Sequence, residues 1–362
     1  MKGLLHLLEK WKGAFEDGKP LARMRPLFDA LDNFMYSNAG QTKVAPHIRD
    51  PIDLKRFMIV VVIALLPSVI AGWYYFGQRI LVLILLSYVV GGVIEVLFAI
   101  VRKEEVNEGF LVTGMIYPLI LPPAVPYWMA ALGMALGVIF AKELFGGTGR
   151  NLINPALAGR AFIAIGYPVA LSTGWIQPAS GGSGRFLQFV DASTVDAITS
   201  ATPLMQGKHG NLESVLNLLV GFRSGSVGET CAALIIIGGL FLLFTKVANW
   251  RTVVGMLGAV FVFQSILHLV DASAYAPAIW HLGAGGLLFG AFFMATDPVT
   301  SPTTNGGKMV CGILMGIVTV LIRNFSGYVE GVMFAILFGN VIAPLLDQIA
   351  FGMRTRRLSR EA

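Results

Sequence analysis

Residues 80–101 read ILVLILLSYVVGGVIEVLFAIV, and Glu95 is the one charged side chain in this stretch. An α-helix needs about 20 mainly apolar residues to cross a lipid bilayer. Comparable stretches recur along the chain, in which 55% of the residues are hydrophobic and 13% are charged. A soluble core cannot hide so much apolar side chain from water. The sequence therefore predicts an all-α polytopic membrane protein.

On both sides of this stretch the chain has further apolar runs of similar length with turn residues between them. These runs predict about ten transmembrane helices. Five of them precede a long polar segment at 172–227 and five follow it, which permits two inverted five-helix repeats. The predicted spans are 57–77, 80–101, 108–124, 126–144, 153–171, 228–246, 250–270, 278–296, 308–323 and 330–350.

The basic residues predict the orientation of these spans. Lys and Arg concentrate near both ends of the chain and in short loops that fall on one side, which the positive-inside rule places in the cytoplasm. Both termini are therefore expected in the cytoplasm. The predicted segments are an amphipathic N-terminal region at 1–56, a first transmembrane half at 57–171, an external loop at 172–227, a second transmembrane half at 228–350 and a basic tail at 351–362.

The charge and the cysteines exclude some classes of partner. The formal net charge is +6, but the basic residues lie where the topology rule places them, so anionic lipid is the expected partner and nucleic acid is not. The amphipathic pattern in 1–56 suits a helix that lies on the membrane or on a neighbouring polypeptide. Cys231 and Cys311 lack the spacing of a disulfide framework or of a cysteine-bound metal.

Two polar turns at span ends are candidate binding sites. In residues 146–154 small residues precede a helix start, and the amides of Asn151 and Asn154 offer donors and acceptors for the edge of a polar ring. A plain helix cap with a tight turn explains the same residues. In residues 294–302, Asp297 lies among hydroxyl side chains that could supply oxygens to sodium, or it could cap the next helix.

Acidic residues inside predicted spans form a second group of candidates, because a charge at membrane depth is costly unless it has a function. We favour Glu95 and Asp347. Others lie at or near span ends, where a side chain can reach water: Glu143, Glu229 and Glu330.

Several segments together resemble one family of membrane redox subunits, the NqrB/RnfD family. Residues 107–113 (NEGFLVT), 142–162 (KELFGGTGRNLINPALAGRAF), 294–299 (MATDPV) and 320–323 (VLIR), with Glu330-Gly331, are similar to the NqrB component of the sodium-translocating NADH:quinone oxidoreductase. The resemblance covers essentially the whole chain. It is shared in part with RnfD of the ferredoxin-linked Rnf complex, but the long region before residues 47–56 (HIRDPIDLKR) favours the NADH-linked branch.

The resemblance implies two flavins. Residues 196–202 (DAITSAT) resemble the attachment motif in which the last threonine carries FMN through a phosphoester bond, which here is Thr202. Ser200 stands where the family more often has glycine, and serine restricts the backbone more. Riboflavin is expected near Asn151 and Asn154.

The same resemblance implies a quinone site near Gly91, Gly92 and Glu95, and a sodium path that includes Phe289, Asp297 and Asp347. It further implies a multi-subunit respiratory complex in the bacterial inner membrane, with ubiquinone or menaquinone as acceptor. No residue is expected to perform acid–base catalysis, because the flavins carry the redox chemistry. NADH is expected to bind another polypeptide of the complex, since no Gly-x-Gly-x-x-Gly follows a strand.

Two other classes of protein remain open from the residues alone. A solute transporter without a redox role would use the same interrupted helices and buried acids to bind its substrate. A structural anchor for neighbouring redox subunits would use them for packing.

Overall fold

A computed structural model describes residues 54–104, 109–176, 201–208, 210–221 and 223–361, together with residues 19, 178 and 186. The helices run in chain order as α1 (Leu54–Phe76), α2 (Arg79–Arg102), α3 (Gly109–Leu119), α4 (Tyr127–Ala141), α5 (Pro155–Gly166), α6 (Pro168–Thr173), α7 (Pro203–Lys208), α8 (Val215–Val220), α9 (Ala232–Phe244), α10 (Trp250–Val270), α11 (Ala278–Gly283), α12 (Leu287–Phe289), α13 (Asn305–Phe325) and α14 (Val332–Glu361). A 3₁₀ turn follows α4 at Glu143–Phe145, and a π-helical turn, Gly290–Met294, continues α12.

The prediction of an all-α polytopic membrane protein is confirmed, since the described residues contain helices and no strand. Six helices in this part of the chain are long and apolar enough to cross a membrane: Arg56–Phe76, Arg79–Arg102, Tyr127–Phe145, Trp250–Val270, Asn305–Phe325 and Val332–Arg356. Many of their large apolar side chains, such as Leu85 and Val101, point away from the protein, as lipid-facing residues do. The amphipathic region predicted at 1–56 lies outside the described residues, apart from residue 19 and residues 54–56, which begin α1.

Four predicted spans differ from the helices in the structure. The apolar helices α3, α5 and α9 are shorter than the spans predicted at 108–124, 153–171 and 228–246. Proline explains one of these ends, since α5 stops before Pro168. The predicted span 278–296 is broken between α11 and α12, where Gly285 adopts a φ of +65° that favours glycine.

The contacts among helices repeat between the two halves. In α1–α5 the second helix packs against the third and fourth, the first against the third, and the fourth against the fifth. In α9–α14 the corresponding elements, with α11 and α12 together as the third, make the same contacts. A repeated five-helix unit predicts this pattern, and the inverted orientation of the two repeats stays a prediction.

A buried irregular segment, residues 223–231, links the two halves. The amides of Val227 and Gly228 donate to the carbonyls of Leu121 and Leu119, at distances of 3.3 and 2.7 Å. All nine of these residues are buried. Irregular backbone at membrane depth is stable only where the protein itself satisfies its polar groups. This segment and the end of α3 therefore hold each other in place.

Glycines let α4 and α5 approach closely. A Cβ at Gly159 would lie 2.4 Å from the carbonyl oxygen of Gly133, and a Cβ at Gly137 would lie 2.4 Å from that of Pro155. Both obstacles are backbone atoms, which cannot rotate away. Small residues at such contacts are a common way for membrane helices to pack.

We expect Gly159→Ala to lower the midpoint of thermal unfolding, because the added methyl group pushes α4 and α5 apart at a cost of about 1–3 kcal/mol. The matched control is Gly166→Ala in the same helix, where an added Cβ meets nothing within 4 Å. The control should unfold at or slightly above the wild-type temperature, since alanine favours helix more than glycine does. Equal midpoints for the two variants would contradict this packing account.

Candidate functional site

One candidate site is a large cavity that contains Thr202. Its volume is about 420 Å³, within the range of about 300–1,000 Å³ that is usual for small-molecule and cofactor sites. We call it the Thr202 cavity. It lies between the two halves of the protein, and its lining includes Arg160, Trp175, Thr202, Glu229, Glu330 and Phe334.

Thr202 lies at the start of α7 and is half-buried. Its hydroxyl oxygen accepts a long hydrogen bond, 3.4 Å, from the amide of Met205, as a helix cap does. The hydroxyl hydrogen stays available for another group. Residues 196–200 of the predicted attachment motif lie outside the described residues.

Two charged residues in the wall of the Thr202 cavity are satisfied by the protein itself. Arg223 donates to the carbonyls of Thr230, Gly283 and Glu229, at 3.2, 2.9 and 2.7 Å. Glu330 is paired with Arg323 at 3.1 Å and accepts from the amide of Gly286 at 3.0 Å. Both side chains are structural parts of this wall.

Two other charged residues in the same wall have unsatisfied atoms. Arg160 is 6% exposed, and its Nε has no hydrogen-bond partner. Glu229 is also 6% exposed; its Oε1 accepts from the amide of Ser226 at 2.7 Å, but its Oε2 has no partner. Leaving a buried polar group unpaired costs about 1–3 kcal/mol, and more for a charged group. A ligand group that reached either atom would supply the missing hydrogen bond.

A second cavity contains Asn151, and we call it the Asn151 cavity. Asn154, Lys142 and Asp297 also line it, so the two polar turns singled out in the sequence meet there. Its volume is about 70 Å³, far below the range of about 300–1,000 Å³ of enclosed cofactor sites. The walls that this chain supplies do not enclose a flavin ring system.

A chain of hydrogen bonds connects the two turns of the Asn151 cavity. The amide N–H of Asn154 donates to Oδ1 of Asn340 at 3.2 Å, and Nδ2 of Asn340 donates to the hydroxyl oxygen of Thr300 at 3.1 Å. That hydroxyl donates to Asp297 at 3.0 Å. The side chain of Asn154 itself caps α5 by accepting from the amides of Ala156 and Leu157. Asn340 was not identified from the sequence. The feature that could have drawn attention to it is a polar amide side chain inside an apolar span.

The residues of the predicted quinone site line neither of these two cavities. Glu95 is 5% exposed and pairs with Lys142 at 2.5 Å, and a second pair joins Arg102 to Glu143 at 2.8 Å. Gly91 lies one turn before Glu95 on the same buried face of α2, where an added Cβ would strike Met134. An added Cβ at Gly92 would meet Phe110 at an ordinary contact distance. Lys142, which the sequence did not single out, connects Glu95 to the Asn151 cavity.

The three residues predicted for the sodium path lie in three settings. Asp297 is half-buried in the Asn151 cavity. Phe289 is buried beside Phe293 and borders a small cavity of about 10 Å³, whose wall also includes Arg160 and Glu229 of the Thr202 cavity. Asp347 lies on α14 and faces the start of α13. Among the described residues no group of three or more His, Cys, Asp and Glu side chains could hold a metal ion.

Asp347 fastens the start of α13. Its carboxylate accepts from the amide and hydroxyl of Thr303, at 2.7 and 2.8 Å, and from the amide and hydroxyl of Thr304, at 2.9 and 2.6 Å. Thr304 is in turn the N-cap residue of α13. The carboxylate thus stabilises the contact between α13 and α14, whatever else it does.

We expect Asp347→Ala to destabilise the protein by about 1–3 kcal/mol, because hydrogen bonds from backbone and hydroxyl groups to a carboxylate are lost together. Thermal unfolding of the purified protein measures this. Gln348→Ala, at the adjacent position, is the matched control and should unfold at the wild-type temperature. An Asp347→Ala protein as stable as this control would show that the capping contacts contribute nothing.

Comparison with known proteins gives a consistent result. The model of the NQR2, RnfD, RnfE family matches residues 41–353. The chain is 37% identical to the NqrB component of the Na(+)-translocating NADH-quinone reductase of Azotobacter vinelandii, with 98% of each chain covered. It is 36% identical to the component of the same name from Klebsiella pneumoniae strain 342, again with 98% of each chain covered.

Proposed function

The chain belongs to the NQR2, RnfD, RnfE family, and from this premise we propose that it is the membrane subunit of a sodium-pumping NADH:quinone oxidoreductase. The family resemblance found in the sequence is confirmed, and it covers nearly the whole chain. The protein works with the other subunits of the complex in the bacterial inner membrane, with both termini in the cytoplasm. It passes electrons toward ubiquinone or menaquinone and contributes to the sodium path.

The Thr202 cavity is the observation that carries this proposal. FMN bound through a phosphoester to the Thr202 hydroxyl would find a cavity of cofactor size beside its anchor. The cavity wall also has a buried donor on Arg160 and a buried acceptor on Glu229 that need partners. When bound, FMN supplies one-electron and two-electron redox chemistry. The residues present therefore fit the group.

The protein's own residues would bind and shield this cofactor. Thr202 holds it covalently, so that it stays in place through every turnover. Leu171, Met333 and Phe334 give the cavity apolar surface, which excludes water and strengthens the electrostatic effect of the charged residues. Arg223 and Glu330 keep the irregular walls rigid through the bonds described above.

Riboflavin at Asn151 and Asn154 stays a prediction. The Asn151 cavity is too small to enclose the ring, so riboflavin bound there would need surface from a neighbouring subunit. Asn154 and Arg160, which border the two cavities, are six residues apart along α5, a rise of about 9 Å. The quinone site at Gly91, Gly92 and Glu95 likewise stays a prediction.

Coupling to sodium would act through Asp297, Phe289 and Asp347. Asp297 is supported by its place in the Asn151 cavity and by its hydrogen-bonded connection through Thr300 and Asn340 to the cap of α5. If a change of charge on a neighbouring cofactor altered the sodium affinity of Asp297, sodium binding would alter the free energy of that change of charge by the same amount.

The proposal is tested by sodium transport in membrane vesicles that contain the complete complex. Addition of NADH should drive sodium uptake and reduce added quinone, and both rates should depend on sodium. Reduced ferredoxin as the effective donor, with NADH ineffective, would assign the chain to the Rnf branch of the family instead. Sodium or solute movement without any redox dependence would favour a transporter.

A further inference from the structure

We propose that Arg160 and Glu229 bind the imide edge of the flavin ring that Thr202 carries. This inference rests on the proposed function and extends it to the way in which the ring is recognised. The imide edge is the C2=O, N3–H, C4=O side of the isoalloxazine, which presents acceptor, donor and acceptor in a row. The two residues are the unsatisfied charged groups of the Thr202 cavity described above.

The hydrogen-bonding capacity of the two side chains selects this kind of ligand. A guanidinium can only donate hydrogen bonds, and a carboxylate can only accept them. A phosphate would satisfy Arg160 and repel Glu229, whereas a sodium ion would satisfy Glu229 and be repelled by Arg160. An imide satisfies both, because its carbonyls accept from the guanidinium and its N–H donates to the carboxylate.

Both residues lie on rigid parts of the protein. Arg160 is in α5, which packs against α4 through backbone contacts at Gly159. Glu229 is in the buried segment 223–231, where Arg223 holds its carbonyl and the amide of Ser226 holds its Oε1. Both also border the small cavity beside Phe289. Because both side chains are already held in place, they can orient a ring without losing further conformational freedom when it binds.

The charges of the two residues predict opposite effects on the flavin. The positively charged Arg160 stabilises the negative charge that reduction places on this edge. The negatively charged Glu229 carboxylate repels this charge and so destabilises the reduced flavin. Loss of one hydrogen bond to a charged group is expected to change the ratio of reduced to oxidised flavin about tenfold.

The test is a spectroelectrochemical titration of the intact complex. The absorbance of the Thr202→Ala complex is subtracted from that of each other complex, which leaves the signal of the Thr202-linked flavin. At a fixed potential, Arg160→Gln should lower the ratio of reduced to oxidised flavin about tenfold. Glu229→Gln should raise it. Arg160→Lys keeps the charge and should stay within about threefold of wild type, and it serves if Arg160→Gln does not fold. Arg354→Gln and Glu104→Gln, both at exposed positions, should change nothing.

The outcomes separate this inference from the function on which it rests. An attached flavin with an unchanged ratio in both Arg160→Gln and Glu229→Gln would overturn the imide assignment. An unchanged ratio in Glu229→Gln, together with loss of stabilisation by sodium, would replace it with a cation site. A wild-type chain without covalent flavin would instead remove the proposed function, and this inference with it.

Discussion

The Thr202→Ala variant is expected to lose all of the flavin fluorescence that stays with this polypeptide in a denaturing gel. A phosphoester needs a side-chain oxygen, and alanine has none, so the expected effect is complete loss and not a partial decrease. The wild-type chain, made in a host that has the flavin-transfer enzyme, should give a fluorescent band under ultraviolet light. Thr202→Ser keeps a hydroxyl and should keep the label.

The control for this experiment comes from the same cavity. Ser172 also lines the Thr202 cavity, where its hydroxyl donates to the carbonyl of Val169 at 2.9 Å. Ser172→Ala should therefore be labelled like the wild type. A fluorescent Thr202→Ala band, or loss of label in Ser172→Ala alone, would move the attachment point away from Thr202.

The Lys142→Met variant is expected to show the largest loss of stability. Glu95 and Lys142 are 5% and 3% exposed at their side chains, so the substitution leaves a carboxylate buried without its partner. Removing one member of a buried ion pair costs about 3–5 kcal/mol. The midpoint of thermal unfolding of the purified complex should fall accordingly.

A double variant separates the ion pair from packing. In Lys142→Met with Glu95→Gln no buried charge is left unpaired, so most of the stability should return. Lys246→Met removes a lysine from a loop outside both cavities and should leave the midpoint unchanged. If the double variant is as unstable as the sum of the two single variants, Lys142 and Glu95 act independently and the pair is not the cause.

The membrane class and most helix positions could be predicted from the sequence, because lipid imposes length and apolarity on every span. The broken region from α11 to α12 could not be predicted in this way. Residues 278–296 are as apolar as an intact span, and the break is held by hydrogen bonds of Ala284 and Gly286 to Arg323 and Glu330, which lie far along the chain. Hydropathy gives no information about such contacts.

The candidate site, too, could be predicted from the sequence only in part. The high cost of buried charge drew attention to Glu229 and Glu330 among other acids, but only the fold shows that Glu330 is paired with Arg323 while Glu229 has an oxygen without a partner. Arg160 passed unnoticed as one residue of a glycine-rich turn and helix. It becomes significant because α5, the segment 223–231 and the start of α14 meet around Thr202.

Mass spectrometry of the proteolytic peptide that contains residues 196–202 tests the central proposal most directly. We predict a peptide heavier by the mass of FMN less one water, with the added mass located on Thr202 by fragmentation. The same peptide at its unmodified mass, in a complex that reduces quinone, would contradict the proposal that this chain carries its flavin on Thr202.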